Sequence, residues 1–296
     1  MAIQSLKTIH KYLRHNKKFP HVWCAGCGNG IVLGAIIRAI STLDIGKDDI
    51  VMVSGIGCSS RMPVYVDFNT VHTLHGRALP FATGIKLVKP GKHVIVITGD
   101  GDCLAIGGNH FIHACRRNID ITTIIINNST YGMTGGQFSP TTPEGKKGTT
   151  APYGNYEASF NIADLSIAAG ASFVGRGAVY YATQLKDTIQ EAIQHKGFSV
   201  VEVISQCHTL YGRQNKEGGA VEMMKWQKEH AVNVKAADKM TEEQISGKFR
   251  IGTLHRVESV EYTAKYGQLL EKLSNKPMAP KPVEKEEIQD EKQQEE

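Results

Sequence analysis

Two short polar segments, each of which follows an apolar run, contain residue types that can hold a phosphate group through a metal ion. The sequence GDGD begins at Gly99 and the sequence NN begins at Asn127, so that Asn128 lies 28 positions after Asp100. Mg²⁺ prefers oxygen ligands in near-octahedral geometry and usually retains phosphate oxygens among them. A carboxylate, an amide oxygen and a backbone oxygen near Thr130 could supply the protein ligands, and the glycines let the backbone approach the phosphates closely. The pattern therefore predicts a Mg²⁺–diphosphate site, for which the alternative is a pair of turns that only join strands to helices.

Four of the six cysteines stand where they could bind a second metal centre. Cys24 and Cys27 form a C-x-x-C pair with glycines around it, and Cys58 and Cys207 each come shortly after an apolar run. Four thiolates can bind either Zn²⁺ or a [4Fe–4S] cluster. A redox C-x-x-C of the thioredoxin type is a third alternative, but it leaves the other two cysteines unexplained. The spacing alone does not decide between zinc and iron–sulfur.

The elements that must position these residues alternate between strand and helix. Four apolar runs predict buried parallel strands: Asp49–Ser54, His93–Thr98, Ile121–Ile126 and Ser199–Ile204. Five further patterns predict helices: Ile31–Ser41, Arg77–Val88, Leu104–Arg117, Asn161–Ala169 and Thr183–His195. This alternation predicts an α/β fold with a mostly parallel sheet and helices on both faces. Ligands of such sheets lie beyond the carboxyl ends of the strands, which is where the Gly-, Asn- and Cys-containing segments fall.

The segments around the predicted site carry further expectations. The helix after the GDGD sequence should direct free N–H groups at the anion, and Cys103 and Cys115 on that helix are expected to be buried as small apolar side chains. The segment 130–155 is long and rich in Gly, Thr and Pro, and loops of that length inside a compact domain are usually functional. After about Gly212 the chain becomes more polar, with helical patterns broken by glycines.

Charge and composition limit the partners. The chain of 296 residues has a net charge of +5, and the tail from Ala279 holds three lysines against seven acidic residues, so residues 1–278 carry about +9. A basic body suits phosphate cofactors, coenzyme A or an acidic electron carrier, whereas no nucleic-acid motif is present. No apolar run is long enough for a membrane span and no secretory signal is found, so a cytoplasmic location is expected. We expect one domain over residues 1–278 and a disordered charged tail over residues 279–296.

The motifs resemble those of a known family. GDG followed by NN at this spacing is similar to the thiamine diphosphate motif, and the stretch Asn127–Gln137 resembles the corresponding segment in the β subunits of 2-oxoacid:ferredoxin oxidoreductases. The stretch Thr73–Pro80 resembles the strand-to-helix turn of that family near its cofactor. The early C-x-x-C, the Gly-Cys-Ser after the next strand and the late cysteine match the family as well. The resemblance covers roughly residues 15–260.

The resemblance implies thiamine diphosphate, Mg²⁺ and a [4Fe–4S] cluster as cofactors, together with their site residues. The diphosphate and its metal ion would be held by Gly99, Asp100, Gly101, Asp102, Asn128, Thr130, Gly132 and Thr134. The Mg²⁺ ligands within that set would be Asp100, Asn128 and Thr130. The cluster ligands would be Cys24, Cys27, Cys58 and Cys207.

Two further residues are candidates for direct catalysis. His75 lies with Arg77 in the turn that resembles the cofactor-facing segment of the family, and could face the thiamine or the substrate carboxylate. The alternative roles for these two residues are a helix cap and a surface cation. Arg61 lies three residues beyond Cys58 and could bind a carboxylate through two parallel hydrogen bonds. We therefore expect His75 and Arg61 at the reacting end of the site.

The resemblance also implies a reaction. Asn29 occupies a position where pyruvate-type members often have glutamate, and the stretches Gln137–Pro143 and Gly247–Leu254 look more like the 2-oxoglutarate members. The implied activity is oxidative decarboxylation of 2-oxoglutarate with coenzyme A to succinyl-CoA and CO₂, with electrons passed through the cluster to ferredoxin. The alternatives are the same reaction on pyruvate or a branched-chain 2-oxoacid, a redox-neutral thiamine diphosphate decarboxylase or synthase, and a zinc-stabilised binding module.

Thiamine chemistry also requires a carboxylate at the aminopyrimidine ring, and the sequence offers no clear candidate for it. In the family this carboxylate comes from the partner α subunit. We therefore expect the chain to be inactive alone and to work in a heteromeric assembly with an α subunit. The other expected partners are ferredoxin, the 2-oxoacid and coenzyme A.

Overall fold

An eight-stranded sheet organises the computed structural model, which describes residues 8–16 and 20–274. The strands are β1 (Ile50–Ser54), β2 (Asn69–His72), β3 (His93–Gly99), β4 (Thr122–Asn127), β5 (Phe173–Ala178), β6 (Ser199–Ile204), β7 (Ala231–Asn233) and β8 (Phe249–Arg256). Their order is β2-β1-β3-β4-β6-β5-β8-β7, and each neighbouring pair is parallel except β5 with β8. The expected α/β fold with a mostly parallel sheet is confirmed. The expected tail, residues 279–296, lies outside the described residues.

Helices connect and flank the strands. The longer ones are α1 (Asn29–Thr42), α2 (Ala78–Val88), α3 (Gly108–Arg117), α4 (Ile162–Ala168), α5 (Ala182–Gln194), α6 (Ala220–His230) and α7 (Tyr262–Ser274). Short α-helical segments are Arg213–Asn215, Val234–Ala237 and Glu242–Ile245, and 3₁₀ turns are Lys47–Asp49, Ser59–Val64 and Val179–Tyr181. Two π-helical turns are Asp102–Ile106 and His208–Gly212. No helix in the described part of the chain is long and apolar enough to cross a lipid bilayer.

Two apolar cores lie on opposite faces of the sheet. Along β3, Ile95 and Ile97 pack into one core with α1 and α5, whereas Val94 and Val96 pack into the other with α2, α3 and α4. Successive side chains of a strand point to opposite faces, so a strand covered on both sides is apolar throughout. The expected placement of helices on both faces is therefore confirmed, and it explains the continuous apolar runs.

The four predicted strands are confirmed to within one residue at each end, but the sequence does not predict β2, β5, β7 or β8. Strand β5 contains two glycines, which disfavour a strand assignment. A Cβ at Gly177 would lie 2.6 Å from Leu185 Cδ1, and one at Gly175 would lie 2.5 Å from Thr188 Cγ2. The glycines are therefore present because α5 packs closely on this strand.

The predicted helix Leu104–Arg117 is wrong in its first turn. The chain forms a π-helical turn over Asp102–Ile106 and continues as α3 only from Gly108. A Cβ at the intervening Gly107 would lie 2.5 Å from the carbonyl oxygen of Asp102, so the backbone is too close there for a side chain. π-helical turns are frequent at functional sites, and this one directly follows the GDG sequence.

Candidate active site

A cavity of about 190 Å³ lies beyond the carboxyl ends of β1, β3 and β4. Its lining contains all eight residues predicted to hold the cofactor: Gly99, Asp100, Gly101, Asp102, Asn128, Thr130, Gly132 and Thr134. His75, Cys58 and Tyr131 line the same cavity. Parallel strands bring their carboxyl ends to one edge of the sheet, and this is how segments that are far apart in the sequence converge here.

A larger cavity, of about 890 Å³, lies beyond the ends of β4 and β6 against the segment 211–254. Asn128 lines both cavities. Four charged side chains in the lining of the larger cavity form two ion pairs. Arg176 Nε lies 2.7 Å from Glu202 Oε2, and Lys146 Nζ lies 2.5 Å from Glu217 Oε1. The smaller cavity holds the buried aspartate and a predicted cluster thiol, so we assign the candidate active site to it.

Asp100 is a buried carboxylate with no cationic partner among the described side chains. Only 2% of the residue is exposed, and Ser139 Oγ and Thr141 Oγ1 each donate a hydrogen bond to Oδ2 at 2.6 Å. Burial raises the pKa of Asp100, and the two hydroxyl groups partly oppose that change. A buried carboxylate without a counter-charge is costly, so a cation at this position would stabilise the fold. The residues present therefore fit Mg²⁺.

The NN sequence forms a tight turn beside this carboxylate. Asn127 Oδ1 lies 3.0 Å from Thr141 Oγ1, and Asn128 Oδ1 accepts a hydrogen bond from the Thr130 N–H at 3.3 Å. Ser129 has a φ of 57°, a left-handed conformation that reverses the chain direction. An amide oxygen carries two lone pairs, so Asn128 can hold the turn and still bind a metal ion.

Gly101 has no side chain because Tyr131 packs directly on it. A Cβ at Gly101 would lie 2.3 Å from the Tyr131 ring, and the Tyr131 hydroxyl donates to the Gly101 carbonyl at 3.1 Å. Burial, followed by the charges of Asp100 and Asp102, raises the pKa of Tyr131 to about 12. The phenol therefore stays protonated near neutral pH and fastens the loop after the NN sequence to the GDGD turn.

We expect Gly101→Ala to lower the free energy of unfolding by about 1–3 kcal/mol, the usual cost of forcing extra volume into a packed site. Chemical denaturation measures the change. The control is Gly84→Ala in α2, where a Cβ would meet nothing within 4 Å. That substitution should stabilise the protein by about 0.5–1 kcal/mol, since alanine is favoured over glycine inside a helix. Equal stability of the two variants would show that the Tyr131 contact does not constrain Gly101.

Both carboxylate oxygens of Asp102 are bound within the chain. Oδ2 accepts from Thr98 Oγ1 at 2.7 Å, while Oδ1 accepts from the Gly76 N–H at 2.7 Å and lies 2.6 Å from His75 Nδ1. Because a carboxylate only accepts, this contact places a proton on His75 Nδ1, and Nε2 is the ring nitrogen that the contact does not use. The carboxylate of Asp102 therefore contacts His75, and the role of Asp102 in binding the cofactor, whose cavity it lines, stays a prediction.

The four predicted cluster cysteines come together at the edge of this cavity. Burial, and to a smaller extent the thiols of Cys58, Cys207 and Cys24, raise the pKa of Cys27 to about 11. Burial and the thiols of Cys207 and Cys24 likewise raise the pKa of Cys58. Cys24 Sγ and Cys207 Sγ lie 3.8 Å and 3.9 Å from the same Thr209 Oγ1. Such crowded thiols suit a metal centre, which stabilises their thiolate forms.

Gly132 lies where the loop after the NN sequence meets these cysteines. A Cβ at this position would lie 3.4 Å from Cys207 Sγ and 3.7 Å from Cys58 Sγ, so it would stand between two predicted cluster ligands. These are ordinary van der Waals distances, so the backbone of the loop lies directly against two of the predicted ligands. Because Thr130 is only two residues away, one short loop spans both predicted sites.

Zn²⁺ and a [4Fe–4S] cluster, the two metal centres that the cysteine spacing leaves open, need different arrangements of the four thiolates. Over residues 8–16 and 20–274, no group of three or more His, Cys, Asp and Glu side chains is placed to hold one metal ion. A tetrahedral Zn²⁺ with sulfurs at about 2.3 Å needs its four thiolates nearly in contact. A [4Fe–4S] cluster binds each thiolate through a different iron and therefore needs a wider set.

The two other cysteines lie in the apolar core, as expected. Cys103 is 4% exposed and Cys115 is fully buried, and neither forms a disulfide. Burial raises the pKa of both thiols. They pack as small apolar side chains on the far side of the GDGD turn.

Arg61 lies at the rim of the cavity on the 3₁₀ turn that follows Cys58. Its Nη2 atom lies 3.9 Å from Met133 Sδ, and its charge acts on the Cys58 thiol. No carboxylate among the described residues pairs with Arg61, so its charge is available for an anion. Arg61 therefore lies on the side of the site near the four cysteines, and His75 lies on the side near the GDGD turn.

Sequence reasoning missed the residues that hold the predicted ligands in place. These are Ser139 and Thr141, which bond to the buried carboxylate, Tyr131, which packs on the GDGD turn, and Glu202, which accepts from Asn127 Nδ2 at 2.8 Å. The length and composition of the segment 130–155 indicated a functional loop. Nothing in the sequence could identify which of its many hydroxyl groups would point inward.

Comparisons with known proteins agree with this site. A family model described as "Thiamine pyrophosphate enzyme, C-terminal TPP binding domain" matches residues 45–203. The chain is 51% identical over 265 residues to 2-oxoglutarate synthase subunit KorB of Methanocaldococcus jannaschii, covering 90% of this chain and 98% of the relative. It is 62% identical to the protein of the same name from Archaeoglobus fulgidus, over 67% of this chain and 73% of the relative. A solved structure of 2-oxoglutarate:ferredoxin oxidoreductase from Magnetococcus marinus, with 2-oxoglutarate, coenzyme A and succinyl-CoA bound, has a TM-score of 0.81 at 30% identity and 93% coverage of both chains.

The matched family region runs from just before β1 into β6. It therefore contains the GDGD turn, the NN turn and Cys58, whereas the other predicted cluster cysteines lie outside it. The similarity to the relative from Methanocaldococcus jannaschii and to the solved structure extends over most of the chain, at 90% and 93% coverage. The chain belongs to the thiamine pyrophosphate enzymes and, within them, to the family of the 2-oxoglutarate synthase KorB subunits.

Proposed function

We propose that this chain is the β subunit of a 2-oxoglutarate:ferredoxin oxidoreductase. The reaction decarboxylates 2-oxoglutarate, joins the succinyl group to coenzyme A, and releases two electrons that leave through a [4Fe–4S] cluster to ferredoxin. The observation that carries the proposal is the contact of the loop at Gly132 with the thiols of both Cys58 and Cys207. This contact supports a cluster that would carry electrons out of the site. Gly132 is only two residues after Thr130, the predicted Mg²⁺ ligand. A redox-neutral decarboxylase or synthase has no use for such an outlet.

The chain would hold the cofactor through its buried carboxylate and its NN turn. Asp100, Asn128 and Thr130 would bind Mg²⁺, and the backbone at Gly99 and Gly101 would face the diphosphate. The uncompensated charge of Asp100, at 2% exposure, supports this assignment. When bound, thiamine diphosphate supplies the electron sink for decarboxylation and the cluster supplies the electron acceptor.

His75 and Arg61 would act at the reacting end. His75 keeps its proton on Nδ1 through Asp102, so Nε2 can accept or return a proton at the cavity. Arg61 at the rim has no carboxylate partner within residues 8–16 and 20–274, and it would bind a carboxylate of the 2-oxoacid through two hydrogen bonds. The two residues thus have separate roles, one in proton transfer and one in substrate binding.

We expect Asp102→Asn to lower kcat by about 10- to 100-fold, the loss typical when a group that orients a functional histidine is removed. The amide has the same shape and keeps an oxygen toward the Gly76 N–H and His75 Nδ1, but it removes the negative charge that orients His75 and stabilises its protonated form. Steady-state kinetics of the assembled enzyme measure the effect. Mg²⁺-dependent cofactor binding should be retained, because Asp100 is unchanged. A large loss of Mg²⁺ affinity together with unchanged kcat would contradict the positioning role.

A partner chain should complete the site. The carboxylates in the described lining of the cavity are Asp100 and Asp102, and both already have assigned contacts. We therefore infer that the carboxylate for the aminopyrimidine ring comes from an α subunit. Two of the relatives are named as subunits of a 2-oxoglutarate synthase, which supports a partner chain.

The test is an anaerobic assay with 2-oxoglutarate, coenzyme A and a viologen acceptor, on this chain alone and on its complex with the α subunit. We expect activity only from the complex, with pyruvate and branched-chain 2-oxoacids turned over less efficiently. Full activity of the isolated chain would contradict the shared site. A preference for pyruvate would contradict the substrate assignment, and a protein without iron and labile sulfide would favour the redox-neutral alternative.

A further inference from the structure

The hydroxyl group of Thr209 lies between two of the four predicted cluster ligands. Its Oγ1 atom is 3.8 Å from Cys24 Sγ and 3.9 Å from Cys207 Sγ, and among the described residues these two sulfurs are its only hydrogen-bond partners. Cys24 precedes β1 and Cys207 follows β6, so the two sulfurs come from distant segments of the chain. The side chain of Thr209 therefore contacts a sulfur from each of these two segments.

The direction of these hydrogen bonds depends on the state of the sulfurs. Between a hydroxyl and a free thiol, either group can donate. A cysteine that ligates iron has lost its proton, so its sulfur can only accept. With a cluster in place the Thr209 hydroxyl must be the donor, and its single proton goes to the sulfur of Cys24 or of Cys207 or is shared between the two.

The local fold holds this hydroxyl in place. Thr209 lies in the π-helical turn His208–Gly212, which directly follows Cys207 and is closed by the Gly212 N–H bond to the Cys207 carbonyl at 2.9 Å. Threonine is branched at Cβ and has few allowed rotamers. A π-helical turn also changes the direction in which side chains leave a helix, and such turns are common at functional sites.

Hydrogen bonds to the sulfurs are among the factors that set the potential of an iron–sulfur cluster. Reduction adds negative charge that the ligand sulfurs share, and a hydroxyl that donates to them stabilises the reduced form more than the oxidised form. We propose that Thr209 is a positioning residue that raises the reduction potential of the cluster by donating a hydrogen bond to the sulfurs of Cys24 and Cys207. This inference rests on the proposed function, since it requires the cluster.

The experiment is a dithionite titration of the assembled enzyme, followed by the electron paramagnetic resonance signal of the reduced cluster. Thr209→Val keeps the shape of the side chain and removes the donor, so we expect the midpoint potential to shift to a more negative value. Thr209→Ser keeps the hydroxyl and should stay close to the wild-type potential. The matched control is Thr253→Val on β8, whose hydroxyl donates to Glu191 instead of to a cysteine, and which should leave the potential unchanged.

The outcomes separate this inference from the function on which it rests. An unchanged potential in Thr209→Val, with full iron and sulfide content, would overturn the role of Thr209 and leave the proposed function standing. Loss of iron from Thr209→Val and Thr209→Ala alike would also overturn it, since the hydroxyl would then serve assembly and not the potential. A wild-type complex without a reducible cluster would contradict the proposed function itself.

Discussion

Replacing Asp100 with asparagine should weaken the Mg²⁺-dependent binding of thiamine diphosphate at least about 100-fold, because even the loss of an outer-shell partner costs 10- to 100-fold at metal sites. Asparagine keeps the shape and one oxygen but removes the charge. At 2% exposure this charge has no cationic partner among the described residues, so the metal ion would be its main compensation. Calorimetric titration of the assembled enzyme with the cofactor, at a series of Mg²⁺ concentrations, measures the change.

The control for this experiment is Asp44→Asn. Asp44 is exposed and has a φ of 51°, a left-handed conformation that asparagine also tolerates. The same charge is removed there without a buried site, so cofactor affinity should not change. Wild-type affinity in Asp100→Asn, at every Mg²⁺ concentration, would exclude Asp100 as a metal ligand.

Replacing Cys58 with serine should remove most of the cluster iron and abolish electron transfer to a viologen acceptor. A hydroxyl is a poor ligand for iron compared with a thiolate, and Cys58 is one of only four predicted ligands. The backbone should stay in place, because Trp23 Nε1 donates to the Cys58 carbonyl at 2.6 Å whatever the side chain. Mg²⁺-dependent cofactor binding should therefore persist. Iron and labile sulfide analysis, together with the visible spectrum under anaerobic conditions, measures the loss.

Cys115→Ala is the control for the cluster experiment. Cys115 is fully buried in the apolar core on α3 and is separate from the four crowded thiols. Its replacement should cost about 1 kcal/mol of stability through a small cavity and leave the iron content unchanged. Full iron content in Cys58→Ser, or loss of iron in Cys115→Ala, would show that the cluster ligands are misassigned.

Much of the fold follows from the sequence. The four central strands are apolar on both faces, so their runs are continuous and their ends are marked by glycine, asparagine or a nearby cysteine. Edge strands and glycine-containing strands carry no such signal. Strand β5 has Gly175 and Gly177 where α5 approaches closely, so its low strand propensity reflects a tertiary contact that no local pattern reveals.

The residues of the candidate site also fall into two groups, those that the sequence predicts and those that only the structure reveals. The sequence by itself predicts the candidate ligands, namely Asp100 and Asn128 after parallel strands and the four cysteines, because parallel strands must end at a common edge. Only the tertiary structure decided which residues support them. It turned Asp102 toward His75, directed Ser139 and Thr141 to the buried carboxylate, and brought Gly132 against two thiols. The spacing of residues within one strand and the turn after it is local and can be read from the sequence. Contacts between loops depend instead on how distant segments of the chain pack.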